Sequence, residues 1–130
     1  MENRMPKPIL IIGTQGSGKS LAAKGISCNY KETKIIDGKN WHKRTFHFQA
    51  CTENTDCIII DELITPNEVE YFYEMVLSGV KVDRQSRVPI VIYPQVVVIL
   101  NIPVNGIARL QGAMERRFDI IWIGGGDDES

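Results

Sequence analysis

Three glycines, a lysine and a serine near the N-terminus have a spacing that suits the binding of phosphate groups. Residues 13–20 fit the pattern G-x-x-x-x-G-K-[ST]. Glycines let backbone N–H groups turn toward phosphate oxygens, Lys19 supplies positive charge near the β- and γ-phosphates, and the Ser20 hydroxyl is a ligand for Mg²⁺. The pattern predicts a site for ATP and Mg²⁺. Its expected nucleotide-binding residues are Gly13, Thr14, Gln15, Gly16, Ser17, Gly18, Lys19, Ser20 and Leu21.

Two acidic residues follow a second apolar run. Residues 57–60 are Cys-Ile-Ile-Ile, and Asp61 and Glu62 come directly after them. An aspartate at the end of a buried strand can hold Mg²⁺ beside the phosphates. A carboxylate one residue further on can orient and deprotonate the water that attacks the γ-phosphate. The acidic pair therefore favours a protein that hydrolyses ATP over one that only binds it. The alternative is that Asp61 and Glu62 belong to a solvated acidic loop.

A third polar side chain ends the apolar run of residues 96–100. Asn101 could hydrogen-bond both the attacking water and the γ-phosphate, and an asparagine that starts a turn is the simpler alternative. The loop, the acidic pair and this asparagine are more informative together than any one of them alone.

Short apolar strands alternate with helical segments along the chain. We expect strands at residues 9–12, 34–37, 57–60, 96–101 and 119–123, and helices near 17–29, 65–79 and 106–116. Residues 80–93 read as a β-hairpin with a basic tip. This alternation predicts an α/β fold with a mainly parallel sheet covered on both faces, and ligands bind such sheets at the carboxyl ends of the strands.

The loop, the acidic pair and Asn101 occur in an order that resembles the ASCE class of P-loop NTPases, to which the AAA+ proteins belong. Residues 77–84, followed by a proline, a strand and Asn101, resemble the ATPase core of superfamily 3 helicases. The resemblance runs from residue 9 to residue 123 and is to a minimal core without a helical lid. It implies a three-layer α/β/α fold, with the hairpin inserted before the strand that ends at the sensor 1 residue, Asn101.

The same resemblance implies further roles. Lys19, Glu62 and Asn101 would be catalytic, and Ser20 and Asp61 (the Walker B aspartate) would hold the metal. Residues 115–119 resemble an arginine-finger segment, in which Arg117, or less favourably Arg116, would reach the γ-phosphate bound by the next subunit. The alternative is an exposed basic pair. The hairpin cations Lys81, Arg84 and Arg87 would bind single-stranded DNA in the channel of a ring. The simpler alternative is that each of them is a solvated cation of an ordinary surface hairpin.

Length and composition limit the number of domains and the class of protein. The chain has 130 residues, 43% of them hydrophobic and 24% charged, with a net charge of −1. These values predict one globular domain, residues 1–123, and a flexible acidic tail, residues 124–130. Cys28, Cys51 and Cys57 form no CxxC pair and are expected to be reduced thiols in a cytoplasmic protein with no membrane segment.

The sequence therefore predicts an oligomeric, DNA-acting ATPase of the helicase or translocase kind, with a replication or mobile-element protein as a further expected partner. Two other functions stay open. One is a nucleotide-dependent assembly switch or scaffold with little turnover. The other is a small P-loop kinase, which would share residues 13–20 but needs an acceptor pocket and an arginine-bearing lid.

Overall fold

One α-helix and seven β-strands make up the regular structure of the part described by the computed structural model, which comprises residues 5–13, 16, 18–38, 48, 50–63, 73, 78–82, 87–101 and 115–123. The elements are β1 (Ile9–Gly13), α1 (Lys19–Ser27), β2 (Thr33–Asp37), β3 (Cys57–Leu63), β4 (Val80–Val82), β5 (Ile90–Ile92), β6 (Gln95–Asn101) and β7 (Asp119–Ile123). The strands predicted from apolar runs are all present. Of the helix predicted near residues 65–79, Tyr73 is helical and residues 78 and 79 are not. Of the helix predicted near residues 106–116, residues 115 and 116 are in a turn. The rest of both segments and the acidic tail lie outside the described residues.

Five of the strands form one parallel sheet in the order β2, β3, β6, β1, β7. In this order β6 lies between β1 and β3, although it follows both in the chain. The predicted parallel sheet is therefore confirmed, and it is compatible with the predicted α/β class. The remaining strands, β4 and β5, pair antiparallel as the predicted hairpin, and residues 83–86 at its tip lie outside the described residues.

The central strands contain continuous apolar runs, and both faces of each run are covered. Residues 10–12 of β1 and 96–100 of β6 are fully or almost fully buried. The side chains of the edge strands β2 and β7 are half-buried or exposed, except for Ile36 of β2, which is buried. This contrast between centre and edge is the pattern expected of a parallel sheet with cover on both faces.

Different elements cover the two faces of the sheet. On one face, Ala23 of α1 packs in a cluster with Ile11, Ile59 and Val97. On the other face, the hairpin contributes side chains to a larger cluster; they are Val80, Val82 and Ile92. Tyr73, a helical residue, packs against the same cluster, and its neighbours in sequence lie outside the described residues.

The segment before β3 is tied to the start of β2 by hydrogen bonds to two carboxylates. The Thr52 and Thr55 hydroxyls donate to Glu32 at 2.6 and 2.8 Å, and these bonds lower the pKa of Glu32. The backbone N–H groups of Lys31 and Glu32 donate to Asp56 at 2.9 and 2.8 Å, which likewise lowers the pKa of Asp56. Phe48, a few residues before this segment, is buried in the core.

Two of the three cysteines are buried thiols. Cys51 and Cys57 are in the core, whereas Cys28 is exposed after the end of α1, and all three are free. Burial raises the pKa of Cys51 to about 11 and also raises the pKa of Cys57. Within the described part of the chain, no helix has the length and apolar character needed to cross a membrane.

Candidate functional site

A cleft of about 400 Å³ opens at the carboxyl ends of the central strands. Its lining comes from three stretches of the chain that are far apart in sequence. The lining residues are Gly16, Gly18, Lys19, Ser20, Asp61, Glu62, Ile99 and Asn101. Seven of these eight were predicted site residues, and Ile99 was not singled out because its position looked like that of any core residue in β6.

The start of α1 forms one wall of the cleft. Gly18 is the N-cap residue and has a φ of 95°, and Gly16 has a φ of 80°. Such positive φ values are easily adopted only by glycine. No side chain caps the helix, and no acidic residue occurs in its first turn. The first N–H groups of α1 are thus a favourable site for an anion, by hydrogen bonding and by the helix dipole.

Lys19 is the charged residue most deeply set in this wall, with 7% of its surface exposed. Burial lowers the pKa of its ammonium group, and the negative charges of Glu62 and Asp61 act in the opposite direction. An ammonium group that interacts with two carboxylates at a helix start favourable to anions could contact a phosphate in the cleft directly.

The acidic pair lies within β3 and not after it, because the strand continues to Leu63. Between Ile60 and Leu63 the pairing with β6 changes register, so that three steps along β3 match two steps along β6. Glu62, in this bulge, has a φ of 66° and is the only non-glycine residue with a positive φ in the described part of the chain. A bulge redirects side chains that would otherwise alternate between faces. This explains how two successive carboxylates both line the cleft.

The backbone of the acidic pair is held from the neighbouring strand. Asp37 of β2 is in register with Asp61, and the Gly38 N–H donates to the Asp61 carbonyl at 2.6 Å. The Oδ1 atom of Asp61 is buried. Sequence reasoning did not identify this support, because pairing between β2 and β3 depends on the fold.

Asn101 lies between the loop and the acidic pair. It is in register with Gly13 at the end of β1, and its strand, β6, also pairs with β3. Asn101 therefore lines the cleft together with Lys19 and Glu62.

Oxygen ligands for a magnesium ion are available in the cleft, from the Ser20 hydroxyl and the Asp61 carboxylate. Among the described residues, no group of three or more His, Cys, Asp or Glu side chains could hold a metal ion. Mg²⁺ commonly binds with one or two protein ligands plus substrate phosphates and water, so Ser20 and Asp61 fit that mode.

Of the remaining predicted nucleotide-binding residues, the structure describes Gly13 and Leu21. Gly13 ends β1 beside Asn101 and Ile123. Leu21 is on the first turn of α1, exposed, and is not among the residues that line the cleft. Thr14, Gln15 and Ser17 lie outside the described residues.

Arg116 and Arg117 are at the opposite end of the sheet from the cleft. They precede β7, whose first residue Asp119 is in register with Ile9, the first residue of β1. The length of β7, about 13 Å, separates this end from the cleft end. The guanidinium of Arg117 lies 5.2 Å from the centre of the Tyr73 ring, which is in the range of a cation–π contact.

Both arginines line a second, smaller cavity of about 150 Å³, together with Tyr73 and residues 5–8. The structure therefore does not bring Arg116 or Arg117 to the cleft of their own chain.

The predicted DNA-binding cations lie on the hairpin. Lys81 of β4 is exposed and in register with Val91, and Arg87 is exposed just before β5. Arg84 lies outside the described residues. Lys81 points away from the sheet because its neighbours Val80 and Val82 are buried in the core.

No protein-family model matches this chain, and a comparison with curated proteins found no significant match.

Proposed function

We propose that this protein is a P-loop ATPase of the ASCE class, which binds ATP with Mg²⁺ and hydrolyses it. The observation that carries the proposal is the convergence of Lys19, Asp61, Glu62 and Asn101 on one cleft, at the uncapped start of α1. Such a combination offers N–H donors and an ammonium group for phosphates, oxygen ligands for a metal, and a carboxylate for proton transfer.

Each side chain has a defined task in this mechanism. The N–H groups at the start of α1 and the Lys19 ammonium hold the β- and γ-phosphate oxygens. Ser20 and Asp61 would hold a magnesium ion, which would supply charge neutralisation for the phosphates when bound. Asn101 and Glu62 orient a water molecule, and Glu62 accepts its proton as the water oxygen attacks the γ-phosphorus. ADP and inorganic phosphate are the products.

The proposal extends to the fold and to assembly. We infer a three-layer α/β/α domain that works as an oligomeric ring, in which Arg117 or Arg116 of one copy completes the site of the next. The position of both arginines at the end of the sheet away from their own cleft supports this inference. Lys81 and Arg87 are exposed on the hairpin, which supports single-stranded DNA as the polymer on which the ring acts. We further infer that the ring works together with a partner protein, in replication or in a mobile element.

Phosphate release from ATP tests the hydrolytic part of the proposal. Glu62→Gln keeps the size of the side chain but removes the proton acceptor. Turnover should fall by about 100-fold or more while ATP binding persists. Glu53→Gln is the matched control, because Glu53 is exposed in a turn before the start of β3. If the wild-type protein binds ATP but releases phosphate no faster than Glu62→Gln, the protein is an assembly switch and not a hydrolase.

A further inference from the structure

Tyr73 connects the hydrophobic core to the cavity at the amino end of the sheet. Its side chain is half-buried and packs against the larger core cluster, on the hairpin face. The same side chain lines the cavity that contains Arg116 and Arg117. A residue in this position can hold a side chain of the cavity in a fixed place relative to the core.

Two successive residues, Arg117 and Phe118, contact the Tyr73 ring. The centres of the Phe118 and Tyr73 rings are 5.4 Å apart, with an angle of 53° between the ring planes. Phe118 is 1% exposed, so this contact fixes the Tyr73 ring against the core. The guanidinium of Arg117 lies over the Tyr73 ring, 5.2 Å from its centre, and Arg117 is half-buried. The aromatic ring therefore joins a buried side chain to a cation that solvent can still reach.

The backbone beside Arg117 is fixed as well. The Asp119 N–H, two residues further on, donates to the Pro8 carbonyl at 2.9 Å. The Lys7 ammonium lies 3.4 Å from the Asp119 carboxylate. Both contacts tie the start of β7 to the residues that precede β1. The main freedom left to Arg117 is rotation within its long side chain, and the contact with Tyr73 reduces that freedom.

We propose that Tyr73 is a positioning residue for Arg117 in ATP hydrolysis. The inference rests on the proposed function, in which an arginine of one copy completes the cleft of the next. An arginine stabilises charge on the γ-phosphate only when its guanidinium is held in a productive geometry. The Tyr73 ring holds the guanidinium in place before the next copy is bound, so less rotational freedom is lost in the transition state. Tyr73 itself does not contact the nucleotide.

The same contact decides between the two arginines. Arg116 is exposed, and among the described residues the cation–π contact involves Arg117 and not Arg116. The inference therefore assigns the role in the neighbouring cleft to Arg117.

Steady-state hydrolysis of ATP, with kcat and KM measured separately, tests the proposal. Tyr73→Leu keeps an apolar side chain but removes the aromatic face. It should lower kcat by about 3- to 30-fold and leave the KM for ATP unchanged. Tyr73→Met is a second variant without a ring and should behave in the same way, whereas Tyr73→Phe keeps the ring and should lose less. Tyr30→Leu is the matched control, because Tyr30 is half-buried against the other core cluster, and it should keep the wild-type kcat.

A double variant separates positioning from a general loss of packing. In Arg117→Ala there is no guanidinium to position, so the addition of Tyr73→Leu should not lower the rate further. A purely structural role of Tyr73 would lower the rate by the same factor whether or not Arg117 is present.

Three results overturn this inference and leave the proposed function intact. They are a wild-type kcat in Tyr73→Leu while Arg117→Ala is impaired, equal losses in Tyr73→Phe and Tyr73→Leu, and an equal effect of Tyr73→Leu with and without Arg117. Full activity of Arg117→Ala overturns the shared site of the proposed function, and this inference with it.

Discussion

Glu62 is held in a backbone conformation that an L-residue other than glycine rarely adopts. Its φ of 66° lies in the left-handed region, which costs roughly 1 kcal/mol or more for a residue with a Cβ atom. The bulge in β3 that contains Glu62 directs its carboxylate into the cleft beside Asp61. Backbone strain of this kind concentrates at functional sites, and it supports the role proposed for this carboxylate.

Substitution of Glu62 should separate backbone strain from catalysis. Glu62→Gly relieves the strain and Glu62→Ala does not, so the glycine variant should be more stable than the alanine variant by about 1 kcal/mol in chemical denaturation. Both variants should lose hydrolysis because both lack the carboxylate. At Lys81 in β4, where φ is not positive, the order should reverse, with Lys81→Ala more stable than Lys81→Gly. An alanine variant at position 62 that is as stable as the glycine variant would show that the backbone there is unstrained.

At the scale of elements, the hairpin depends on a glycine at the entrance to β4. Gly79 has a φ of 120°, and a Cβ atom built there would lie 2.5 Å from Val91 Cγ1 and 3.0 Å from Tyr93 Cε1. The close approach lets β4 and β5 pair tightly while Val80 and Val82 enter the core.

Gly79→Ala should destabilise the protein by about 1 to 3 kcal/mol, through steric overlap and an unfavourable φ. Gly25→Ala is the matched control, because Gly25 is in α1 with open space around its Cα and no positive φ. That control should be neutral or stabilising by up to about 1 kcal/mol. Denaturant unfolding measures both changes, and equal stability of the two variants would contradict the packing described for the hairpin.

The hydrogen bonds between Glu32 and residues 52 and 55 should make the start of β2 sensitive to acid. Glu32 ordinarily titrates near 4.5, and its pKa is lower in the folded protein. Its contribution to stability is therefore complete above pH 4.5 and is lost as the pH falls through the lowered pKa. Unfolding measured from pH 7 to pH 3 should show a shallower acid loss for Glu32→Gln than for the wild type. Glu53→Gln should keep the wild-type slope, and a Glu32→Gln slope equal to it would refute the assignment.

The strands were predictable from local sequence, and their arrangement was not. Continuous apolar runs identified β1, β3 and β6 because both faces of each strand are buried. Nothing in those runs encodes that β6 inserts between β1 and β3, since pairing depends on contacts between distant residues. The proximity of Asn101 to Gly13 therefore followed from the fold. The bulge at Glu62 carries no glycine or other sequence signal, and the strand was expected to end before Asp61.

At the scale of the whole molecule, the two ends of the sheet carry complementary chemistry. The carboxyl end has the cleft with Lys19, Asp61 and Glu62, and the amino end has Arg116 and Arg117 beside Tyr73. Because the two ends are about 13 Å apart along β7, Arg116 and Arg117 are placed to complete the cleft of another copy of the chain and not their own. Repetition of that contact would generate a ring or a filament.

Mixing two inactive variants tests this arrangement. Arg117→Ala should lower the rate of hydrolysis by about 10³-fold or more if the guanidinium acts on the γ-phosphate. Glu62→Gln is inactive for a different reason, as it retains Arg117 but lacks the proton acceptor. A mixture of the two should regain activity, since an intact cleft from one meets an intact arginine from the other. Arg116→Ala is the control and should be less affected.

The dependence of the hydrolysis rate on protein concentration and on DNA tests independently whether two copies share the site. Wild-type activity per subunit should rise with protein concentration and with added single-stranded DNA. Constant activity per subunit, together with full activity of Arg117→Ala, would exclude a shared site.

Binding of ATP in the cleft through Lys19 is tested most directly by calorimetry. ATP with Mg²⁺ is titrated into wild-type protein, Lys19→Ala and Lys24→Ala. Both lysines are on α1, but Lys19 is buried in the cleft and Lys24 is exposed in the last turn. We expect the wild type and Lys24→Ala to bind ATP equally. Lys19→Ala should lose about 10- to 100-fold in affinity, the effect of removing a charged hydrogen-bond donor. Absence of ATP binding to the wild type, or equal binding by Lys19→Ala, would contradict it.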